Sequence, residues 1–183
     1  ALRQFVHVEK KVEVKDGEKY ISIEPAQNDL IIDFEIIYKN PLIRTRRKEF
    51  KLSQDNLSEI YNSRTFCLYE DIDFIKSKGL AKGGSLENAV VVKGDKVLNE
   101  GGLRSKKEFV NHKILDLAGD FMLSGARVIG SLECIHGGHA LTNKFLKKIF
   151  SDKSNYEVVE HQSSTSNVRK IVPLNKRLAA VNA

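Results

Sequence analysis

Two short polar segments of this chain hold side chains that could do chemistry. The first is His112-Lys113-Ile114-Leu115-Asp116-Leu117-Ala118-Gly119-Asp120, with a histidine, an aspartate and a second aspartate at four-residue intervals. On an α-helix, residues four apart share a face, so a His112 nitrogen and an Asp116 oxygen can reach one metal ion. Zinc accepts both donor types, but a catalytic zinc takes three protein ligands and keeps an open position for water. A third ligand must therefore come from His136, from His139 or from elsewhere. The plainer alternative is a solvated helix face with an ordinary ion pair, since His-x-x-x-Asp is a common spacing.

The second segment is Gly137-Gly138-His139-Ala140-Leu141-Thr142-Asn143-Lys144. Its glycines put His139 at a tight strand-to-helix turn, where catalytic groups are often displayed. If Asp120 faces it, the carboxylate would hold the imidazole protonated and oriented as an acid or electrostatic stabiliser. Without such a partner, His139 is simply the first residue of a helix. Lys113 is either a surface lysine or a contact to a substrate phosphate. His7 and His161 receive no role.

The elements that must position these groups are legible in the patterning. Val6, Val8, Val12 and Val14 alternate with polar residues, and Asp16-Gly17 marks a hairpin turn before Tyr20-Ile21-Ser22-Ile23. Leu30, Ile32, Phe34 and Ile36 form another alternating run, ended at Asn40-Pro41. A short strand fits 49–52, and Ser53 is the expected N-cap of a helix through about Tyr61. Thr65-Phe66-Cys67-Leu68, an amphipathic helix near 72–78 and Ala89-Val90-Val91-Val92 read as a small β-α-β excursion. Gly83-Gly84-Ser85 lies inside it, without the Walker lysine or dinucleotide fingerprint of a phosphate loop. A long helix over roughly 106–123 would carry Glu108, His112, Asp116 and Asp120 on one stripe, with Val110, Ile114, Leu117 and Phe121 opposite. A strand over 127–135, a helix from His139 to about Phe150 and a strand near 156–159 follow.

Composition narrows the class. With 183 residues, 41% apolar, the chain can bury a core, and it reads as one domain over 1–160 with a flexible basic tail over 161–183. No apolar run approaches the length of about 20 residues that a membrane-spanning helix needs. Cys67 and Cys134 lie far apart, so a buried free thiol is expected rather than a zinc ribbon or redox dithiol. The N-terminus lacks a Met and a signal-peptide core, and it looks cut from something longer. Thirty basic against 24 acidic residues leave a net charge of +6, which suits a diphosphate, a nucleic acid or a lipid surface. Arg44-Thr45-Arg46-Arg47-Lys48 has none of the interleaved aromatics of a single-strand nucleic-acid platform. The expected fold class is α+β: an antiparallel-rich sheet with two helices packed on one face, a two-layer sandwich, plus the small β-α-β insert.

Several long motifs recur together in order. They are Arg64-Thr65-Phe66, Gly79-Leu80-Ala81-Lys82-Gly83-Gly84-Ser85-Leu86-Glu87-Asn88-Ala89, Val97-Leu98-Asn99-Glu100-Gly101-Gly102-Leu103-Arg104 and the two segments above. From Phe5-Val6 to about Tyr156, the chain closely resembles the second half of the UDP-3-O-acyl-N-acetylglucosamine deacetylases, zinc amidases of the committed step of bacterial lipid A synthesis. That resemblance implies a cytoplasmic hydrolase of a non-peptide C–N bond, with Zn2+ as cofactor. It makes His112 and Asp116 two of three zinc ligands, and His139 the acid that protonates the leaving amine or stabilises the oxyanion, oriented by Asp120. It also implies that Thr65 helps hold the scissile carbonyl, that Lys113 and Phe66 contact substrate, and that Tyr38 stacks on the uracil. The insert at about 69–92 then shapes an apolar passage for the acyl chain, with Ile72 and the glycine-rich turn in its wall.

Two departures matter. Where the family has Lys-Ser-Gly-His, this chain has His136-Gly137-Gly138-His139, so a basic phosphate contact is weakened or taken over by His136. The family's first domain, which brings the third zinc ligand and the glutamate general base and docks on the site face, is absent from these residues. The 183 residues alone are therefore expected to be inactive. On charge alone, the alternative is a non-catalytic basic α+β module that binds nucleic acid. The resemblance implies neither a nucleic-acid partner nor a transmembrane segment.

Overall fold

The computed structural model describes residues 2–162 and 170–171. Most of the expected tail, 163–169 and 172–183, lies outside the described residues. The alternating runs become β1 (Leu2–Val8), β2 (Val12–Asp16), β3 (Lys19–Glu24), β4 (Leu30–Ile36) and β5 (Arg46–Lys51). Along β4 the alternation is complete: Leu30, Ile32, Phe34 and Ile36 are buried while the residues between them are half-buried. A strand with period two therefore turns one face to the core, each large side chain contributing about 1.5–3 kcal/mol.

After β5 come α1 (Leu57–Tyr61), β6 (Thr65–Leu68), α2 (Ile72–Ser77), β7 (Ala89–Lys93) and β8 (Lys96–Val97). They are followed by α3 (Glu108–Phe121), β9 (Arg127–Ile135), α4 (His139–Ser151), β10 (Tyr156–Gln162) and β11 (Lys170–Ile171). The hub is β9. Its residues 130–135 pair with β4 in parallel while 131–135 pair with β3 antiparallel, and β1 runs parallel to its first three residues. In the main sheet every other pairing is antiparallel, giving the order β11-β10-β1-β9-β3-β2 with β4 and β5 joined through β9. Helix α3 packs on β4 and β5, α4 on β2 and β3, and the two helices meet at Phe121 and Phe145. No helix among the described residues is long and apolar enough to cross a membrane. The expected α+β sandwich is the observed architecture.

The helix expected from Ser53 starts later. Asn56 is its N-cap, its side chain accepting from the Ser58 N–H at 3.0 Å. Ser53 instead donates its hydroxyl to Asp29 Oδ2 at 2.6 Å, and its backbone N–H to the same oxygen at 3.1 Å. A buried carboxylate needs donors more than a helix needs three extra residues, and Asp29 is buried.

In the insert, β6 and β7 pair in parallel, as the β-α-β pattern requires, and β8 extends them antiparallel. Val90 and Val92 face the core, and Phe66, meeting Phe109 edge-on at 4.9 Å, packs against the core and also borders the insert cavity. Thr65, Cys67, Ala89 and Val91 face the other way, onto a cavity of about 590 Å³ walled by Ile72, Ile75 and Leu86. Asn99 holds this unit shut. Its Oδ1 accepts from the Val91 N–H at 2.9 Å, and its Nδ2 donates to the Leu86 and Ala89 carbonyls at 2.5 and 2.7 Å. Asn99→Ala should cost about 1–3 kcal/mol, because buried backbone groups lose their partners. Urea denaturation checks the loss, and amide exchange checks that protection falls first at 89–92.

Candidate functional site

Helix α3 presents His112, Lys113, Asp116 and Asp120 along one side, while Phe109, Val110, Ile114, Leu117 and Phe121 anchor it in the core. His112 Nδ1 lies 3.3 Å from the Ser63 carbonyl oxygen. A carbonyl only accepts, so Nδ1 carries the proton and Nε2 presents a lone pair. Burial pushes the imidazole below its ordinary pKa against the raising influence of Asp116, favouring the neutral ring. Across from Nε2, at 3.4 Å, stands Asp116 Oδ1. Two acceptors facing each other attract a cation. Two donors bound about 2.0–2.1 Å from a tetrahedral zinc stand about 3.4 Å apart, so the pair fits that ion. Lys113 donates to the other carboxylate oxygen of Asp116 at 3.2 Å.

Among the described residues, no group of three or more His, Cys, Asp or Glu could hold a metal ion. Neither internal candidate, His136 nor His139, completes the set. His139 is engaged elsewhere, with its Nδ1 2.9 Å from Asp120 Oδ2 and 3.0 Å from Oδ1. The carboxylate accepts, leaving Nε2 of a largely exposed ring directed away from the couple. Phe34, Lys113, Asp116, Leu117, Asp120, Gly138, His139 and Thr142 line one shallow depression, so the two polar segments converge there.

The turn that brings His139 to Asp120 is sterically demanding. His136 takes a left-handed conformation at φ 51°, its N–H bonded to the Glu35 carbonyl at 2.8 Å. A Cβ on Gly137 would lie 2.2 Å from Cys134 Sγ. The Gly137 N–H points at the same sulfur, and burial pushes that thiol up to about 12, so Cys134 is a packed, unreactive group. Both cysteines are free, Cys134 buried and Cys67 half-buried.

The remaining candidates form a second group. Tyr38 meets Phe66 at 5.5 Å and His136 at 6.0 Å, an aromatic row leading from the turn before α4 to β6. Burial raises the Tyr38 hydroxyl above its ordinary value. Asn40 supports that row by accepting from the Leu42 and Ile43 N–H groups and donating to the Gly94 carbonyl. Thr65, Phe66 and Ile72 line the insert cavity. Ser63, two residues before Thr65, connects this group to His112 through its carbonyl.

Sequence reasoning missed Ser63 and misplaced Glu108. Glu108 belongs to the same helical stripe as His112 but is wholly buried, facing Arg64 at 2.9 Å rather than the open depression. The available signal was Arg64 itself, at the head of the Arg-Thr-Phe motif. A buried guanidinium requires a carboxylate.

Comparison with known proteins agrees with the resemblance. The sequence model of the UDP-3-O-acyl N-acetylglycosamine deacetylase family matches residues 1–151. A UDP-3-O-acyl-N-acetylglucosamine deacetylase of Campylobacter fetus is 42% identical over 158 residues, covering 86% of this chain and 53% of that protein. One from Nitratiruptor sp. is 41% identical, covering 89% and 55%, and one from Haemophilus ducreyi 36%, covering 86% and 52%. The chain spans about half the length of the curated relatives it matches. It belongs to the UDP-3-O-acyl N-acetylglycosamine deacetylase family.

Proposed function

We propose that this chain is the half of a cytoplasmic UDP-3-O-acyl-N-acetylglucosamine deacetylase that brings two zinc ligands and the acid-side histidine to amide hydrolysis. The observation that carries the reading is the facing pair of acceptors, His112 Nε2 and Asp116 Oδ1, 3.4 Å apart beside the His139–Asp120 couple. When bound, zinc supplies Lewis acidity toward the acetamide carbonyl and lowers the pKa of water. His112 and Asp116 would hold it, and the Ser63 carbonyl keeps the His112 ring turned toward Asp116. Asp120 orients His139 through Nδ1, so that its outward Nε2 serves the departing amine as an acid or steadies the oxyanion. The Thr65 hydroxyl donates toward the scissile carbonyl. Lys113 contributes a positive charge toward the diphosphate, Tyr38 and Phe66 offer aromatic faces, and the insert cavity receives the acyl chain. The main sheet, with β10 and β11 at its edge, acts with its helices as one domain. The third ligand and the general base come from a first domain that docks over the depression.

The test compares the chain alone with a fusion carrying the N-terminal half of the Campylobacter fetus relative. Acetate release from the acetylated UDP-sugar is expected only from the fusion, and His139→Ala in it should lower kcat by about 100-fold or more. Hydrolysis by the purified chain alone, or an unaltered rate in the His139→Ala fusion, overturns the reading.

A further inference from the structure

The Ser63–Arg64 peptide unit is held at both ends. Its carbonyl oxygen accepts from His112 Nδ1 at 3.3 Å, and its N–H donates to Glu108 Oε1 at 3.1 Å. Glu108 is in turn saturated. Oε1 also accepts from Arg64 Nε at 2.9 Å, while Oε2 accepts from Arg64 Nη2 at 3.2 Å and from the Arg104 N–H at 2.6 Å. Arg64 Nη2 also donates to the Gly102 carbonyl at 2.8 Å, and Arg104 Nη1 to the Asn62 carbonyl at 3.0 Å. Glu108 has no exposure to solvent, and the Arg64 side chain keeps 9%. The carboxylate cannot swing, and neither can the peptide it grips.

We infer that Glu108 is a positioning residue that orients His112 and fixes its tautomer through the Ser63–Arg64 peptide group. An ionised acceptor on an amide N–H polarises the carbonyl of the same amide, making it a stronger acceptor for the next donor. The Nδ1–H form of His112 is thereby selected, and Nε2 is left to face Asp116. Glu108 touches neither substrate nor any ligand position; it acts one peptide removed. Its value to catalysis rests on the metal reading above, but the tautomer claim does not.

The experiment uses the full 183-residue chain, treated with a chelator and observed by 15N NMR of the imidazoles at pH 8. Unsubstituted His112 should show one protonated nitrogen, Nδ1, and one unprotonated, Nε2. Arg64→Met/Glu108→Leu removes both charges together, so no ion is stranded, and should shift the two resonances toward each other as tautomers mix. Unchanged resonances in the folded variant overturn the inference. If that variant does not fold, the unsubstituted chain decides by couplings across its hydrogen bonds, from Arg64 N to the Glu108 carboxyl carbon and from His112 Nδ1 to the Ser63 carbonyl carbon. Both couplings support the relay, and the absence of either overturns it. A parallel titration with Co2+ should show roughly 10-fold weaker binding in the variant. Loss of the tautomer preference with no Co2+ binding by either protein supports the relay and counts against the metal reading.

Discussion

Glu108→Ala is expected to lower folding stability by about 3–5 kcal/mol, measured as a shift of the urea transition at neutral pH. The cost does not arise from the lost attraction itself, which desolvation largely offsets. It arises because the Arg64 guanidinium stays in a pocket where its side chain keeps 9% exposure, and the N–H groups of residues 64 and 104 lose their acceptor. Arg64→Met/Glu108→Leu should be much milder than Glu108→Ala, since it removes the stranded charge. A double change as costly as the single one would disprove this account. The contribution also depends on pH. Burial raises the Glu108 carboxyl, but hydrogen bonds from the Arg64 side chain and the two backbone N–H groups outweigh it and hold the group below its ordinary value of 4.5. A lowered folded-state pKa stabilises the protein above 4.5, and that stabilisation fades as pH falls through the lowered value. Glu108→Ala should therefore lose less stability than the parent chain when both are taken into that acid range.

Gly137→Ala should cost about 1–3 kcal/mol and displace His139 from Asp120. The methyl would stand 2.2 Å from Cys134 Sγ, and Cys134 is buried in β9. The turn must open, carrying the start of α4 with it. Thermal or urea unfolding reads the first effect, and the His139 ring resonances read the second. The two residues should be coupled: in a Cys134→Ala background the added methyl meets no sulfur, and Gly137→Ala should be nearly neutral there. A full penalty in that background would place the constraint elsewhere.

Much of the architecture was readable because period two and period 3.6 are local properties. The Leu30–Ile36 alternation and the apolar face of α3 follow from side-chain direction along one element, and both appear as expected. His112 with Asp116 was also legible as a candidate pair from helical spacing, whereas the glycine turn placed His139 alone and its pairing with Asp120 was implied by the resemblance. Periodicity failed where one carboxylate chose between solvent and a distant partner. Glu108 shares the helical stripe of Asp116, yet Arg64, 44 residues earlier, draws it inward. Ser53 had the local credentials of a cap, and Asp29, 24 residues away, claimed its hydroxyl.

By itself, the sequence determined the family, the strand and helix faces, and which histidines and aspartates could meet. The faces and the His112–Asp116 pair depend on residue types within a turn or two of one another, and the family and the Asp120–His139 pair on long motifs taken in order. Only the tertiary structure decided that β9 joins β1, β3 and β4, and that Ser63 turns the His112 ring toward Asp116. It also decided that Gly137 is small because a sulfur lies against it. Those outcomes depend on which distant groups satisfy buried donors and acceptors, a competition settled only once the chain has closed on itself.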